Sequence, residues 1–321
     1  MRTKLLPGTD LELSVVGMGC WAIGKTYWGD DVEDATSVEA IHAALDVGIN
    51  WFDTAPLYGE GHADHVLSEA LSGCAEDTVI ATKVGVMLEG PSGHAESKLD
   101  AAHVRADLEA SLVRLKREAI DLLQVHWPCQ HKTPLEETFV TLQALKDEGK
   151  VRHIGVCNYG PEALEELMDY ADVVSLQTPY SLLRRELEQE HLPVIDRHGL
   201  GVLAYEPLCR GLLTGKFREE PSFPDSDLRS RDDRFSGRFF VHGSRVAHDL
   251  GKFARRLDVS TAAVALGWVC AQPHVTAAIA GAKTPTQIRE NAEAHRFIDQ
   301  PEAVEVIEKI LHRHRRSRPQ F

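Results

Sequence analysis

Four polar side chains stand near the ends of apolar, strand-like runs in the first half of the chain. Asp53 ends one run, Tyr58 follows it in the next loop, Lys83 lies near the end of a second run, and His126 ends a third. In a barrel of parallel strands the carboxyl ends meet at one face, so we expect these groups to converge there. They suit hydride addition to a carbonyl, because the developing alkoxide must receive a proton from a positioned acid.

Tyr58 is the candidate acid, and its expected neighbours explain how a phenol could serve. A phenol with a pKa of about 10 is weak, but a nearby ammonium such as that of Lys83 favours the phenolate and lowers the pKa. Lys83 keeps its own proton if a carboxylate such as Asp53 balances the charge. His126 would orient the carbonyl oxygen or assist proton transfer. The alternative is a buried ion pair and a hydrogen-bonded histidine with no catalytic role.

The elements that would position these groups recur along the chain. Apolar runs of strand length alternate with segments of helical period, and the runs are continuous, which is typical of parallel strands covered on both faces. The alternation predicts an α/β fold, a (β/α)8 TIM barrel, with a doubly wound sheet as the alternative. The eight predicted strands are Val15–Trp21, Asn50–Ala55, Thr78–Val84, Ile120–His126, Val151–Asn158, Val173–Tyr180, Gly201–Pro207 and Val275–Gly281.

Three segments of the chain are not part of the eight predicted strand–helix units. The first is an N-terminal β-hairpin around the turn Pro7-Gly8-Thr9-Asp10, which we expect to plug the bottom of the barrel. The second is a long loop after strand 7, polar from Lys216 to about Ser244, and long loops without secondary structure are often functional. The third is an extra C-terminal helix from about Pro301. We therefore expect one domain over residues 1–321.

Two sequence patterns suggest other functions but do not fit their contexts. Gly17-Met-Gly19-Cys-Trp-Ala22 has the letters of a dinucleotide fingerprint, but that motif needs a helix to start there, and helical period appears only after about Glu33. Gly61-His62-Ala63-Asp64-His65 could be a metal cluster, but it lies at a predicted helix start and no H-E-x-x-H is present. We expect neither a Rossmann domain nor a metal site.

Composition excludes several classes of protein. The 321 residues are 43% hydrophobic and carry a formal net charge of -14, so a nucleic-acid partner, which requires clustered cations, is not expected. No apolar stretch approaches the roughly 18–20 residues of a membrane span, and the N-terminus lacks the apolar core of a signal peptide. The six cysteines form no CxxC pair. We expect reduced thiols, a cytoplasmic location and no membrane partner.

The segment GINWFDTAPLYGE, residues 48–60, resembles the signature of the aldo-keto reductases. Asp53, Tyr58, Lys83 in IATK and His126 in DLLQVH match that family's catalytic tetrad one by one. The matching motifs are spread over nearly the whole chain. The resemblance implies a (β/α)8 barrel that binds NADP(H), less often NAD(H), without a Rossmann domain. GCWAIG at 19–24 and GAKT at 281–284 are similar to the bacterial and potassium-channel-β-like branches.

The resemblance also implies a cofactor site. Asn158 and Gln177 match residues that contact the nicotinamide amide, and Tyr205 matches the aromatic side chain that stacks on its ring. Residues 205–216 resemble the pyrophosphate-binding stretch and residues 279–291 the adenosine-binding stretch. The implied cofactor-binding residues are Gly19, Cys20, Trp21, Asp53, Asn158, Gln177, Tyr205, Glu206, Pro207, Leu208, Gly211, Lys216, Gly281, Lys283, Gln287, Glu290 and Asn291. The implied substrate-binding residues are Trp21, Tyr58, His126 and Trp127.

Two residues depart from the family pattern. Cys157 replaces the usual serine before Asn158, which weakens one hydrogen bond. Glu206 replaces the usual serine beside the expected pyrophosphate site and places an acid where an anion should bind. We expect Arg210, four residues further on, to neutralise Glu206.

The sequence thus predicts an NADP(H)-dependent oxidoreductase that transfers hydride between nicotinamide and a carbonyl or alcohol substrate: an aldehyde, a ketone or a sugar. Lys283, at a predicted helix start, would bind the phosphate that distinguishes NADP(H) from NAD(H). The alternatives are an NAD-preferring sugar or alcohol dehydrogenase, or a channel-β-like regulatory subunit that binds cofactor. We expect a monomer or small homo-oligomer whose partner is a small molecule.

Overall fold

Eight parallel strands close into a barrel in this computed structural model, which describes residues 1–25, 32–74, 78–89 and 94–317. The predicted TIM barrel is confirmed, and closure of the sheet rules out the doubly wound alternative. In their order around the barrel the strands are β3 (Val16–Gly19), β4 (Trp51–Asp53), β5 (Val79–Val84), β8 (Ile120–Val125), β9 (Val151–Cys157), β10 (Val173–Pro179), β11 (Gly201–Tyr205) and β12 (Val275–Gly281).

Helices cover the outside of this barrel, and their apolar faces pack on the strands. Gly48 and Gly149 adopt positive φ just after two of the helices, as their sequence positions predict. Within the described residues no helix is long and apolar enough to cross a membrane. The helices are α1 (Asp34–Asp46), α2 (His62–Ala70), α3 (Ala101–Leu115), α4 (Leu135–Asp147), α5 (Pro161–Leu167), α6 (Leu187–Glu190), α7 (Leu192–His198), α8 (Gly237–Leu257), α9 (Thr261–Cys270), α10 (Pro285–Ala292) and α11 (Pro301–His314).

The N-terminal hairpin closes the bottom of the barrel, as expected. Its strands β1 (Thr3–Leu5) and β2 (Glu12–Ser14) pair antiparallel. Three leucines at and between these strands, Leu6, Leu11 and Leu13, pack against Trp51 inside the barrel.

Gly17, the first glycine of the pattern that resembles a dinucleotide fingerprint, has a packing role. A Cβ at this position would lie 2.1 Å from Trp51 Cε2. The glycine is needed to fit the indole, and it does not belong to a phosphate-binding turn.

The loop after β11 differs from its prediction. It ends at Ser236, where α8 begins, eight residues before the predicted end at about Ser244. From Lys216 onward two short 3-10 helices interrupt the loop, and the side chains of Asp227 and Asp232 accept hydrogen bonds from backbone N–H groups at the starts of these helices. The polar composition of this segment predicted a loop, but two of its aspartates, Asp227 and Asp232, are helix caps. The C-terminal helix α11 starts at Pro301, as predicted.

A second hairpin was not predicted. Strands β6 (Val86–Glu89) and β7 (His94–Ser97) pair antiparallel directly after β5. Gly85, with φ +94°, starts this hairpin, and its carbonyl accepts a hydrogen bond from Lys98 N at 2.7 Å. Each strand has only four residues, too few for a periodic pattern to separate them from a loop.

Candidate active site

The upper layer of the barrel interior is polar, whereas the layer beneath it is apolar. Side chains along a strand alternate between the two faces, so residues two apart on one strand both point inward. Below, Trp51, Ala81 and Leu122 form part of the apolar cluster closed by the N-terminal hairpin. The inward residues one step closer to the carboxyl ends are the polar side chains Asp53, Lys83, Gln124 and Gln177, all buried.

Lys83 joins three of the groups expected to converge. Its ammonium lies 2.6 Å from Asp53 Oδ2 and donates to the hydroxyl of Tyr58 at 3.1 Å and to the carbonyl of Thr54 at 3.0 Å. These three partners match the three N–H donors of an ammonium. The Lys83 side chain is only 1% exposed. Its charge is therefore held in one place beside Tyr58.

The pKa of Tyr58 differs from the sequence expectation. Burial raises the pKa of Tyr58, and the ammonium of Lys83 only partly opposes that rise. The predicted lowering of the Tyr58 pKa is therefore wrong for the net shift, because burial outweighs the effect of the ammonium. Burial alone would lower the pKa of Lys83, but Asp53 and Tyr58 raise it above its ordinary value. At neutral pH both groups carry protons, which leaves Tyr58 able to donate one.

His126 completes the group at the carboxyl end of β8. Its ring centroid lies 6.0 Å from that of Tyr58, with the two rings nearly perpendicular. Burial, together with the nearby Lys83 ammonium, holds the pKa of His126 well below its ordinary value. The imidazole is therefore neutral near pH 7, and it can donate or accept a hydrogen bond without adding charge.

Two amides and a tyrosine form the next part of the site. Gln177 Nε2 donates to Asp53 Oδ1 at 2.8 Å. Asn158 has φ 63°, and its side-chain amide spans two neighbours: Nδ2 donates to the carbonyl of His126 at 3.2 Å, and Oδ1 accepts from the hydroxyl of Tyr205 at 2.8 Å. The amides are thus fixed in orientation beside the ion pair.

A cavity of about 830 Å³ opens over this layer and runs from His126 and Trp127 to Asn291. Its volume lies within the range of small-molecule sites, roughly 300–1,000 Å³. Of the predicted site residues, all but Cys20 and Lys83 line it. Cys20 is fully buried because it follows inward-facing Gly19 and therefore points into the outer core. The Cys20 side chain thus faces away from the cavity that the other predicted cofactor-binding residues line.

Aromatic rings form the wall of the cavity nearest the polar layer. The Trp21 ring stacks on Tyr58 with centroids 6.2 Å apart and an interplanar angle of 25°. On the other side the centroid of Trp127 lies 5.3 Å from that of His126. The rings of Trp21 and Trp127 thus flank Tyr58 and His126 and cover part of their surface against water.

Cations are concentrated at the other end of the cavity. Lys216, Arg229 and Lys283 all line it, and Arg229 was not among the predicted residues. Burial and the charges of Arg229 and Lys283 together lower the pKa of Lys216, and the carboxylate of Asp227, which pairs with Arg229, opposes this shift only in part. Lys283 stands just before α10, whose cap is Thr284. These cations would attract a phosphate, which could also accept hydrogen bonds from the N–H groups at the start of α10.

Glu206 lies in a closed ring of ion pairs. Its carboxylate accepts from Arg210 Nε at 2.6 Å and from Arg234 Nη1 at 2.6 Å. Asp232 lies 3.0 Å from Arg210 and 2.7 Å from Arg234, which closes the ring. Arg210 neutralises Glu206, as expected, whereas Arg234 and Asp232 were missed. No local pattern indicates them, because Arg234 lies 28 residues along the chain from Glu206.

The histidine cluster at the start of α2 has ordinary partners. His62 lies 2.9 Å from Asp34, and Asp64 accepts from Thr54 at 2.7 Å and from Arg114 at 2.9 Å. Within the part of the chain that the structure describes, no group of three or more His, Cys, Asp or Glu residues is arranged to hold a metal ion.

A (β/α)8 barrel with a buried Asp–Lys–Tyr contact, and with a long cavity at the carboxyl ends of its strands, has the architecture of a TIM-barrel enzyme. The sequence profile of the Aldo/keto reductase family matches residues 15–312, so the chain belongs to that family. It is 38% identical over 296 residues to "Aldo-keto reductase YhdN" of Bacillus subtilis, covering 91% of this chain and 88% of the relative.

Other relatives bear on the branch. The chain is 31% identical to the "NADH-specific methylglyoxal reductase" of Escherichia coli, with 92% of this chain and 93% of that protein covered. It is 29% identical to a "Probable voltage-gated potassium channel subunit beta" of Oryza sativa, with 97% of each covered. The solved glycerol dehydrogenase AKR11B4 from Gluconobacter oxydans superposes with a TM-score of 0.88 at 38% identity, covering 97% of this chain and 95% of that one. The expected family and branch are confirmed, and the chain is an NAD(P)H-dependent aldo-keto reductase.

Proposed function

We propose that this aldo-keto reductase is an NADP(H)-dependent carbonyl reductase or alcohol dehydrogenase in which Tyr58 exchanges the proton. The contact of Lys83 with both Asp53 and Tyr58, at 2.6 Å and 3.1 Å, is the observation that carries the proposal. It places a fixed positive charge against a phenol at the edge of the cavity. We further propose that residues 1–321 act as one domain in the cytoplasm, where buried free thiols such as Cys157 stay reduced.

The residues around the cavity fit a nicotinamide dinucleotide. Asn158, Gln177 and Tyr205 would hold the nicotinamide end, and Lys216, Arg229 and Lys283 would hold the phosphates. Gln287, Glu290 and Asn291 line the far end, where hydrogen-bonding groups suit a base. When bound, this cofactor supplies or accepts the hydride.

The protein's own part in reduction is proton transfer. Tyr58 donates its proton to the carbonyl oxygen of the substrate, and Lys83 stabilises the tyrosinate that remains. Asp53 keeps Lys83 charged throughout. Neutral His126 orients the carbonyl oxygen, and Trp21 and Trp127 enclose the substrate. In alcohol oxidation the same groups act in reverse, with Tyr58 accepting the proton.

Preference for NADP(H) over NAD(H) is part of the proposal. It is supported by the positions of Lys216, Arg229 and Lys283, which all line one end of the cavity, since cations there attract the additional phosphate of NADP(H). The E. coli relative described as NADH-specific shows that the family includes the other preference.

Purified protein assayed with aldehydes, ketones and sugars, and with NADPH and NADH in parallel, tests the function. We expect oxidation of NADPH with at least one carbonyl class, and Tyr58→Phe is the matched inactive control. If Tyr58→Phe oxidised NADPH as fast as the unmodified protein, the proposed reaction would be refuted, because the activity would then come from a contaminant or from a reaction that does not use Tyr58.

A further inference from the structure

Gln124 lies in the buried polar layer but does not line the cavity. It occupies an inward position on β8, is fully buried, and is two residues from His126. Nothing in the proposed proton transfer requires it. An amide in this position needs partners, because burying an unpaired polar group costs free energy.

Its partners connect the two halves of the site. Gln124 Nε2 donates to Asp53 Oδ1 at 3.3 Å, and Gln124 Oε1 accepts from Gln177 Nε2 at 3.0 Å. The Sγ atom of Cys157 lies 3.8 Å from the same Oε1, within the distance of a weak S–H···O hydrogen bond. The amide of Gln124 therefore bridges the carboxylate that pairs with Lys83 and an amide that faces the cavity.

The barrel also leaves space for this side chain. A Cβ on Gly155 of the neighbouring strand would lie 3.1 Å from Gln124 Cγ and 2.4 Å from Ser175 Oγ. A glycine there lets the Gln124 stem lie against the strand and reach Gln177. Packing and hydrogen bonds thus hold Gln124 in one rotamer.

The orientation of Gln177 follows from this contact. Both hydrogens of Gln177 Nε2 are used, one by Asp53 Oδ1 and one by Gln124 Oε1. A flipped Gln177 amide would place its oxygen against two acceptors. Its carbonyl oxygen is therefore kept as the acceptor, and no residue in the described part of the chain donates to it.

We propose that Gln124 is a positioning residue that holds the Gln177 amide with its carbonyl oxygen available to the cavity. That acceptor then recognises a primary carboxamide through its N–H group. The inference rests on the proposed function, since the carboxamide is that of the nicotinamide. Gln124, which does not line the cavity, would therefore contribute to the protein's selectivity for a dinucleotide that carries a carboxamide.

The test compares binding of NADP+ and its 3-acetylpyridine analogue, which replaces the amide NH2 with a methyl group and so cannot donate. The dissociation constants are measured by protein fluorescence, and no turnover is required. The variants are Gln124→Met, which keeps the shape but has no amide, and Gln124→Glu. Burial and the adjacent Asp53 carboxylate keep a Glu at this position protonated, so it still accepts from Gln177 and donates to Asp53. Thr82→Val is the control, because the buried Thr82 hydroxyl on adjacent β5 has no hydrogen-bond partner among the described residues.

We expect the unmodified protein and Thr82→Val to prefer NADP+ by about tenfold, the effect of leaving one buried acceptor unpaired. Gln124→Met should reduce that preference to about threefold or less, since loss of one of two orienting contacts removes part of such an effect. Gln124→Glu should restore most of it. Gln124→Leu serves as a second apolar variant if Gln124→Met does not fold.

Three results would overturn the inference. Full preference in the apolar variants would show that Asp53 alone orients Gln177. Loss of preference in Gln124→Glu as well would show a general disturbance of the barrel. An unmodified protein that binds both dinucleotides equally would show that Gln177 does not recognise the amide. Failure of the unmodified protein to bind either dinucleotide is a different outcome, because it would overturn the proposed function and the inference together.

Discussion

Glu206 Oε1 accepts a 2.6 Å hydrogen bond from Arg210 Nε, four residues further along the same loop. Glu206 has φ 51° and stands where an acid would oppose an anionic ligand. The negative charge of Glu206 is nevertheless neutralised, because the guanidinium groups of Arg210 and Arg234 pair with the carboxylates of Glu206 and Asp232 in one ring. The guanidinium of Arg210 also lies 5.7 Å from the centroid of the Trp21 ring, so the ring of charges reaches the wall of the cavity.

Replacement of this carboxylate tests the ring. We expect Glu206→Ser to lower the free energy of unfolding by roughly 1–3 kcal/mol, since two guanidinium groups lose a charged partner. NADPH binding should persist with a dissociation constant within about tenfold of the original, because the change removes a negative charge near the expected phosphate site while Arg210 and Arg234 remain paired with Asp232. Urea unfolding and fluorescence titration measure the two effects. Complete loss of NADPH binding would show that the loop is misplaced relative to the cofactor.

The ring also predicts a pH dependence. Burial by itself raises the pKa of Glu206, but Arg234 and Arg210 outweigh it and hold the pKa below the ordinary value of 4.5. A carboxyl whose pKa is lower in the folded state stabilises the fold above its unfolded pKa, and loses that effect as the pH falls through the folded value. The difference in unfolding free energy between the unmodified protein and Glu206→Gln should therefore shrink below pH 4.5. Exposed Glu302→Gln is the control, and an equal effect in both variants would contradict this origin.

Removal of the Tyr58 hydroxyl tests the proposed acid. We expect Tyr58→Phe to lower kcat by about 10²- to 10⁴-fold, the usual contribution of a positioned acid, and to leave NADPH binding nearly unchanged. Tyr170→Phe, which removes a hydroxyl far from the cavity, should match the unmodified protein in both measurements. Normal turnover of Tyr58→Phe would exclude Tyr58 as the proton donor.

Charge reversal at Lys283 tests cofactor preference. Loss of a charged hydrogen bond to phosphate should weaken NADPH by about tenfold to a hundredfold, while NADH changes much less. Lys309→Glu makes the same charge change on α11, where Lys309 pairs with Glu305, and should affect neither cofactor. An equal loss for NADPH and NADH in Lys283→Glu would refute a role in binding the extra phosphate.

A methyl group at Gly17 tests the packing of the barrel. The Cβ of Gly17→Ala would lie 2.1 Å from Trp51 Cε2, so the indole or the strand must move. We expect a loss of roughly 1–3 kcal/mol in unfolding free energy, the usual cost of overpacking a core. Gly160→Ala is the control, because Gly160 has an ordinary φ of -75° and a Cβ there would meet no atom closer than 4.0 Å. Unchanged stability of Gly17→Ala would show that the barrel bottom is less tightly packed than described.

Much of the fold could be predicted from the chain because its determinants are local. Continuous apolar runs, helical periods and the placement of Gly149 and Pro301 each depend on neighbouring residues. The short strands of the β6–β7 hairpin and the early start of α8 could not be predicted. Four residues carry too little periodicity, and the caps Asp227 and Asp232 lie in a segment whose polar composition is typical of a loop.

The same division holds for the site. The sequence by itself determined which groups stand at the strand ends, because residue type and strand alternation place Asp53, Tyr58 and Lys83 at one face. Only the tertiary structure decided the net pKa direction of Tyr58, since burial depends on every segment that covers it. It also decided the partners of Glu206 and the bridging position of Gln124. Those contacts join residues far apart along the chain. The packing of the barrel strands brings Gln124 and Gln177 within hydrogen-bond distance, and the folding of the loop after β11 does the same for Glu206 and Arg234.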